Sequence, residues 1–459
     1  MFEIDYNSPA NFHFIGIGGI SMSGFAELLN DRGFRITGSA SHESSITKHL
    51  ESLGIQIYYG QKASNIPDDT DLVVYTAAIS DDNPEYMESV RRGIPMMVRA
   101  EMIGQIMKNY SNAIAVSGTH GKTTTTSLLT HIFMEGNLDP TISVGGILDI
   151  IHGNIRIGAS KNWIMEACEY TNSFLHFNPT VGIILNVEED HLDFFKDIHE
   201  IRDSIHRFAN ILPEDGALII NKNIEAIETI TDGLACKVIT YSECQEADYT
   251  AKNIEFNELG NASFDLYKYG TYVDRITLSV AGNHNVSNAL STIAVADLLE
   301  IPLETIKTGI FSFTGTNRRF QYKGECNGFT IIDDYAHHPT EIRATLTSAK
   351  NYPHKDIWCI FQPHTYTRTK AFFHDFAEAL SLADHVILAD IYAARETDTL
   401  GMSSEALAEE IKKLGTDAYY LPSFEAIENF VLEKVIHGDV LITMGAGDVV
   451  NIGESLLSQ

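Results

Sequence analysis

The sequence predicts an α/β protein of three domains, and three observations carry that reading. The chain is 459 residues long, strand-like and helical segments alternate along it, and two glycine-rich turns each stand between a strand and a helix. At about 150 residues per domain, length alone gives two or three domains. Hydrophobic residues make up 44% of the chain and aromatic residues 10%, without low-complexity tracts or a repeat of fixed period, which is the composition of an ordinary globular protein.

The first unit opens with an apolar run at residues 12–17 that leads into Gly16, Gly18 and Gly19. Phe25, Leu28 and Leu29 then set a helical period that stops at Gly33, so the spacing predicts a strand, a glycine turn and a helix. Strand-like runs at 55–59 and 72–75 and a helical run at 84–92 continue the alternation of a parallel sheet, over a domain of residues 1–108.

A second strand, loop and helix start at 113–116, with the loop running from Ser117 to Thr123 and the helix reaching toward Glu135. Strands are predicted at 163–165, 181–185 and 217–220, followed by a hairpin-like stretch at 249–278 with Gly260-Asn261 as a polar turn. This second domain is assigned to residues 109–320. The pattern restarts with strands at 330–332, 357–361, 385–389 and 440–443 separated by helical segments, which predicts a doubly wound third domain over 321–459, with Gly324 to Gly328 near its boundary.

Charge limits the partners. The chain carries 32 basic and 62 acidic residues, a formal net charge of -30, and such a surface repels nucleic acid and anionic lipid. Anionic substrates must therefore be met locally, by backbone amides, helix N-termini and metal ions. The first basic residue is Arg32, which leaves no cationic start for a signal peptide, and no apolar run reaches the roughly 18 residues of a membrane span. A cytoplasmic protein without membrane insertion is expected. Cys168, Cys236, Cys244, Cys326 and Cys359 are odd in number and form no CxxC pair, so they read as reduced packing residues. No oligomeric state follows from the sequence.

The strongest chemical signal is Gly118-Thr119-His120-Gly121-Lys122-Thr123 between a strand and a helix, where amides and the helix dipole cradle phosphates. Lys122 suits terminal phosphates and Thr123 a magnesium ion, with Thr124 following on the same turn. Val116 occupies the place of the first glycine in the full phosphate-loop pattern, but a run of threonines from Thr123 to Thr126 favours phosphate binding over a plain glycine turn. The first turn, Gly16 to Gly24, resembles a dinucleotide fingerprint with Ser21 in place of the third glycine. Thr37-Gly38-Ser39-Ala40 holds no acidic residue for a ribose, which points to a pyrophosphate ligand other than a nicotinamide dinucleotide; the alternative is a tightly packed turn.

Two acidic clusters follow strands of the second domain, Glu166-Ala167-Cys168-Glu169 and Asn186 to Asp193. Loops at the carboxyl ends of parallel strands converge, so Glu169 and His191 are placed to complete the magnesium site begun by Thr123; singly, each would read as a solvated charge or helix cap. Asn285 and Asn288 are suited to an adenine edge or to helix capping, and Arg318 and Arg319 to phosphate oxygens or a solvated pair. In the third domain, the segments Asp333 to Glu341 and Phe361 to Arg368 bring Tyr335, His337, His364 and Arg368 to strand ends. Such carboxylate, imidazole and guanidinium groups bind the ammonium and carboxylate of an amino acid and steer a proton, or else form a structural polar network.

Taken in order, these motifs resemble those of the Mur ligases over nearly the whole chain. The resemblance rests on His13 to Gly19 with Met22-Ser23-Gly24, the loop Gly118 to Thr123, Ser173-Phe174-Leu175-His176, Asp190-His191, Asn285 with Asn288, Asp334-Tyr335 with His337 to Glu341, Phe361-Gln362-Pro363-His364, and Met444 to Asp448. It implies a Rossmann-like N-terminal domain, a central P-loop-type ATP-binding α/β domain and a Rossmann-like C-terminal domain that bind, in order, a UDP-sugar, ATP and an amino acid. The implied reaction joins L-alanine to the lactyl carboxylate of UDP-N-acetylmuramate through an acyl phosphate, giving ADP and phosphate, in bacterial cell-wall synthesis.

Carried over by residue, the resemblance implies that Gly18, Gly19, Met22 and Ser23 contact the UDP-sugar. Gly118, Thr119, His120, Gly121, Lys122, Thr123, Thr124, Asn285, Asn288 and Arg319 would bind ATP, and Thr123, Glu169 and His191 would hold Mg2+. Tyr335, His337, His364 and Arg368 would serve alanine and the sugar carboxylate. Lys122, Glu169, His191, His337 and Arg368 form the implied catalytic set, in which His191 fits a ligand better than a base and no residue is singled out as the base. Ala40 stands where relatives carry Asp, Gln61 where they carry His, and Thr365 where many carry a basic residue. No lysine lies within 201–208, where sibling ligases place a carbamylated one, so none is expected. The rival readings are a sibling ligase that attaches a preformed peptide to the same sugar nucleotide, a nicotinamide oxidoreductase, opposed by Ser21 and Ala40, and a nonhydrolytic nucleotide-binding regulator.

Overall fold

The structure, a computed structural model, describes residues 2–76, 79–394, 396–398 and 400–458. Among the described residues the strands form three sheets. The first contains β1 (Asn11–Ile15), β2 (Arg35–Ala40), β3 (Gln56–Tyr59), β4 (Leu72–Tyr75) and β5 (Met96–Val98), all parallel in the order β3-β2-β1-β4-β5. The strand expected at 12–17 stops at Ile15, because Gly16 turns the chain at φ 84° and the Gly16 and Ile17 amides donate to Ser39 O. The expected strands at 55–59 and 72–75 and the helix at 84–92 lie at or within a residue of these bounds.

The second sheet has ten strands: β6 (Asn112–Ser117), β7 (Thr141–Leu148), β8 (Gly153–Arg156), β9 (Asn162–Glu166), β10 (Val181–Ile184), β11 (Ala217–Asn221), β12 (Lys237–Ser242), β13 (Tyr249–Phe256), β14 (Asn261–Lys268) and β15 (Thr271–Ala281). Its order is β15-β14-β13-β12-β11-β10-β6-β9-β7-β8, parallel in the middle and antiparallel at both ends. The hairpin-like stretch is a three-stranded meander, β13 to β15. The β7–β8 ribbon was not expected, since Gly145-Gly146 interrupts the apolar alternation of β7.

The third sheet contains β16 (Gln321–Cys326), β17 (Phe329–Asp334), β18 (Ile357–Phe361), β19 (His385–Leu388), β20 (Asp417–Tyr420) and β21 (Val440–Met444), in the order β16-β17-β21-β18-β19-β20. It differs from a purely parallel expectation at one edge, where β16 pairs antiparallel with β17. Gly324 to Gly328 is thus no linker: Asn327 and Gly328, at φ 48° and 85°, make the two-residue turn of that hairpin.

Side chains alternate across the sheets, as the pleat requires. On β6, Ala113 and Ala115 enter one core while Ile114 and Val116 enter another. The first of these cores is shared between the first two sheets: Phe25 of the helix Ile20–Asp31 packs against Trp163 of β9 at 6.0 Å, and Tyr110 lies 5.0 Å from the same ring. The third sheet has its own two cores, one on each face. Among the described residues no helix is long and apolar enough to cross a membrane.

The shared core forces a close approach at Gly104, where an added Cβ would lie 1.8 Å from His176 O, a backbone atom that cannot swing aside. Gly104→Ala is therefore expected to lower stability by about 1–3 kcal/mol, the usual cost of overpacking. Chemical denaturation checks this, with Gly153→Ala, where an added Cβ would meet nothing nearer than Ile155 O at 4.0 Å, as the control for a merely general effect.

Candidate functional site

The loop after β6 is the centre of the site. Gly121 caps the helix Lys122–Glu135 at φ 84°, and an added Cβ there would come within 2.8 Å of Asn288 Oδ1, so both conformation and space demand glycine. The helix start has no side-chain cap, and its first turn presents Thr123 and Thr124 to the cavity, whereas Thr125 and Thr126 are buried. Lys122 Nζ donates to Gly118 O and Thr119 O and pairs with Glu169 Oε2 at 3.2 Å.

From Lys122 a ring of polar side chains can be followed around the junction of the second and third units. Glu169 is buried, and its Oε1 lies 4.0 Å from His191 Nε2, wider than a hydrogen bond. His191, in a left-handed conformation at φ 52°, donates its amide to Asp190 Oδ1 at 2.7 Å. The same oxygen accepts from Arg368 Nη2 at 2.9 Å and Nε at 3.2 Å, across the junction. Burial would raise the Asp190 carboxyl, but Arg368 and His191 hold it well below the usual carboxylate range. Arg368 Nη1 donates to His364 Nδ1 at 3.2 Å, and the His364 ring lies 6.0 Å from that of His337. Glu341 accepts the His337 amide at 3.0 Å and pairs with His120 Nδ1 at 3.1 Å, which closes the ring two residues before Lys122.

The imidazoles differ in charge state. Burial pulls His364 down to about 4, with His337 and Arg368 adding to the effect, and burial also lowers His337. Both are neutral at pH 7. His337 Nδ1 faces Tyr335 O at 2.9 Å and so carries the proton, which leaves the lone pair on Nε2. Tyr335 lies under two guanidiniums, Arg318 at 4.9 Å and Arg319 at 5.4 Å.

Beside this ring is a cavity of about 590 Å3, within the usual range for a small-molecule site. His120, Gly121, Thr123, Thr124, Asn285, Asn288 and Arg319 all line it. Asn285 and Asn288 are joined by a 3.1 Å hydrogen bond, and Asn285 also donates to Ala281 O. The two neighbouring arginines have different roles. Arg318 is turned into the third unit, bonded to Asp333 and to the carbonyls of Gly445 and Gly447, while Arg319 reaches the cavity, 3.9 Å from Glu341.

The four residues expected to meet a UDP-sugar sit apart from this cavity, at the start of the helix Ile20–Asp31. Gly19 stands at the N-cap of that helix without a side-chain cap, which leaves the first-turn amides for an anion, while its own amide donates to Gly16 O at 3.3 Å. The Met22 side chain packs into the core at 1% exposure, and the Ser23 hydroxyl is turned back to Ile20 O at 2.9 Å. Gln61 accepts a bond from Asn83. Thr365, at φ 68°, caps the helix Tyr366–Ala371.

Three residues in quoted motifs were given no role and prove central. Asn186 receives the His120 amide at 2.7 Å and gives a bond to His120 O, so it shapes the phosphate loop. Glu188 and Glu341 flank His120 at 3.6 and 3.1 Å. The signal available was a carboxylate cluster at a strand end, which marks a site but not which oxygen faces inward.

Burial alone would lower His120, but Glu188 and Glu341 outweigh it and raise it from 6.5 to about 9. Glu341, which burial would raise, is held well below 4.5 by His337, His120 and Arg319. The stabilisation from the raised imidazole is fully present below about pH 6.5 and is lost as pH rises through about 9; that from the lowered carboxylate is present above about pH 4.5 and is lost below it. Denaturation midpoints measured from pH 6 to pH 10 should therefore fall toward the alkaline end, and His120→Gln should flatten that decline.

Comparison with known proteins covers the same ground. Residues 11–111 match the description "Mur ligase family, catalytic domain", residues 116–296 "Mur ligase middle domain" and residues 318–447 "Mur ligase, glutamate ligase domain". A protein of Lachnoclostridium phytofermentans named UDP-N-acetylmuramate--L-alanine ligase is 56% identical over 100% of both chains, and one of the same name from Lachnospira eligens is 55% identical over 100% of both. The crystal structure of UDP-N-acetylmuramate-alanine ligase MurC from Thermotoga maritima is 30% identical, with a TM-score of 0.78 over 98% of each chain.

Proposed function

The chain belongs to the Mur ligase family, and from that premise we propose that it joins L-alanine to the lactyl carboxylate of UDP-N-acetylmuramate with ATP, in peptidoglycan precursor synthesis. One observation supports this reading above others: the polar ring from Lys122 through Glu169, His191, Asp190, Arg368 and His364 to His337, Glu341 and His120 links the phosphate loop to imidazole and guanidinium groups of the third unit. A ligase needs that adjacency. A nucleotide-binding regulator or an oxidoreductase has no use for it.

The residues are assigned roles on this reading. Residues 1–108 carry the UDP-sugar, 109–320 ATP and 321–459 the amino acid. Gly18 and Gly19 bring the uncapped helix start to the sugar nucleotide, and Met22, packed in the core, and Ser23, bonded to Ile20 O, support that turn. Lys122, released from the Gly118 and Thr119 carbonyls, holds the terminal phosphates, and the amides of Gly121 to Thr124 at the helix start cradle them, those of Thr119 and His120 being held by Asn186. Asn285, Asn288 and Arg319 line the nucleotide cavity.

The 4.0 Å gap between Glu169 Oε1 and His191 Nε2 fits a cation: the buried carboxylate uses its other oxygen for Lys122 and leaves this one toward His191. Thr123, Glu169 and His191 would hold magnesium, and the ion would supply positive charge against the negative charge on the transferred phosphoryl group. The lactyl carboxylate accepts that group to become an acyl phosphate, and the amine of alanine then attacks the acyl carbon and releases phosphate. Arg368 and His364 orient the carboxylates, and Tyr335 fixes His337. Neutral His337, with its lone pair on Nε2, is placed to take the proton from the attacking amine.

Phosphate release with ATP and magnesium should require both UDP-N-acetylmuramate and L-alanine. Release with only L-alanyl-γ-D-glutamyl-diaminopimelate would move the chain to the sibling that adds a peptide, and none with any acceptor would refute the ligase reading. Lys122→Ala should lower kcat by roughly 10^2–10^3-fold, the loss typical of one charge-stabilising donor. A Lys122→Ala rate equal to that of the unaltered protein would remove the lysine from the mechanism.

A further inference from the structure

The proposed magnesium position has a neighbour that magnesium does not use. Cys168 stands beside Glu169 on the loop after β9, is exposed to solvent, and offers its Sγ within 4.8 Å of a Glu169 oxygen and a His191 nitrogen, which also lie within that distance of each other. The three donors belong to a preformed setting. The Tyr170 ring lies against the His191 ring, tilted by 31° with centroids 4.5 Å apart, and donates its hydroxyl to Asp193 at 2.8 Å, so the imidazole is held on one side. Glu169, 3% exposed, is anchored through Oε2 by Lys122 and leaves Oε1 toward His191.

Magnesium takes oxygen ligands and keeps much of its water, and a thiol offers it nothing. Zinc and cobalt(II) combine sulfur, imidazole and carboxylate in tetrahedral sites with about 2.0–2.3 Å bonds. Donors within 4.8 Å of one another must approach by about an ångström to surround such an ion. Cys168, an exposed residue on a loop, and the His191 side chain, 24% exposed, have room to do so.

We infer that Cys168, Glu169 and His191 together form a site for a soft or borderline divalent cation, with Cys168 bound through its sulfur, so that zinc displaces magnesium from the loop. The inference rests on the reading of Glu169 and His191 as a metal position. Coordination releases the thiol proton to solvent, and no oxidant or other reactant is needed.

The test is titration of the full-length, nucleotide-free protein with cobalt(II). One equivalent should give a thiolate-to-metal charge-transfer band in the near ultraviolet that is absent in Cys168→Ser, kept in Cys244→Ser, and abolished by zinc. Zinc affinity should fall at least about tenfold in Cys168→Ser, the loss that even an outer partner of a metal ligand produces. Zinc should also slow alkylation of Cys168 in the unaltered protein, located by peptide mass, a readout that needs no variant. Cobalt that binds with no thiolate band and is lost in Glu169→Gln would overturn the inference and leave the magnesium position standing. No bound cobalt at all would overturn both.

Discussion

The ion pairing of His120 with Glu188 and Glu341 is the contact on which the arrangement of the site depends. One imidazole on the phosphate loop meets a carboxylate from the loop after β10 and another from the first turn of a third-unit helix. Asn186 holds the same loop from beneath through the His120 backbone. An imidazole that is charged only because two carboxylates surround it fixes all three segments at once, and the cavity and the polar ring take their shape from that point. The Arg368–Asp190 pair repeats the device on the far side of the ring.

The two junctions of the chain are physically different. The first and second units share an apolar core through Phe25, Tyr110 and Trp163, and separating them would expose that core to water. Between the second and third units the contacts include ion pairs, hydrogen bonds and the His120–His338 ring contact at 4.7 Å, and the only apolar side chain of residues 109–320 among those described that packs against a third-unit core is Phe320, at the boundary itself. A polar junction parts at little hydrophobic cost. The boundary before the unit carrying Arg368, His364 and His337 is thus the one that separates at the smaller hydrophobic cost.

Much of this was legible in the sequence, for identifiable reasons. Strand, glycine turn and helix at Gly16 and again at Gly118 leave a local signature that needs no long-range contact, and the parallel strands read as apolar runs because both faces are buried. The β7–β8 ribbon and the β16–β17 hairpin escaped because glycines inside short, half-exposed strands imitate a loop. For the site, Lys122, Glu169 and His191 stood in motifs that pointed to them. Glu188, Glu341 and Asn186 lay in the same motifs, but their roles depend on a meeting of distant segments that spacing does not encode. The division between Arg318 and Arg319 is of the same kind, since only the fold decides which guanidinium is spent on backbone carbonyls.

The central claim is that the phosphate loop and the third unit enclose one nucleotide between them. The most direct measurement is a crystal structure with a nonhydrolysable ATP analogue and magnesium. Phosphates are expected on the amides of residues 121–124 with Lys122 turned onto them, the base among Asn285, Asn288 and Arg319, and metal density between Glu169 and His191. A nucleotide seated on the turn at Gly18 and Gly19, with the cavity beside His120 vacant, would contradict it.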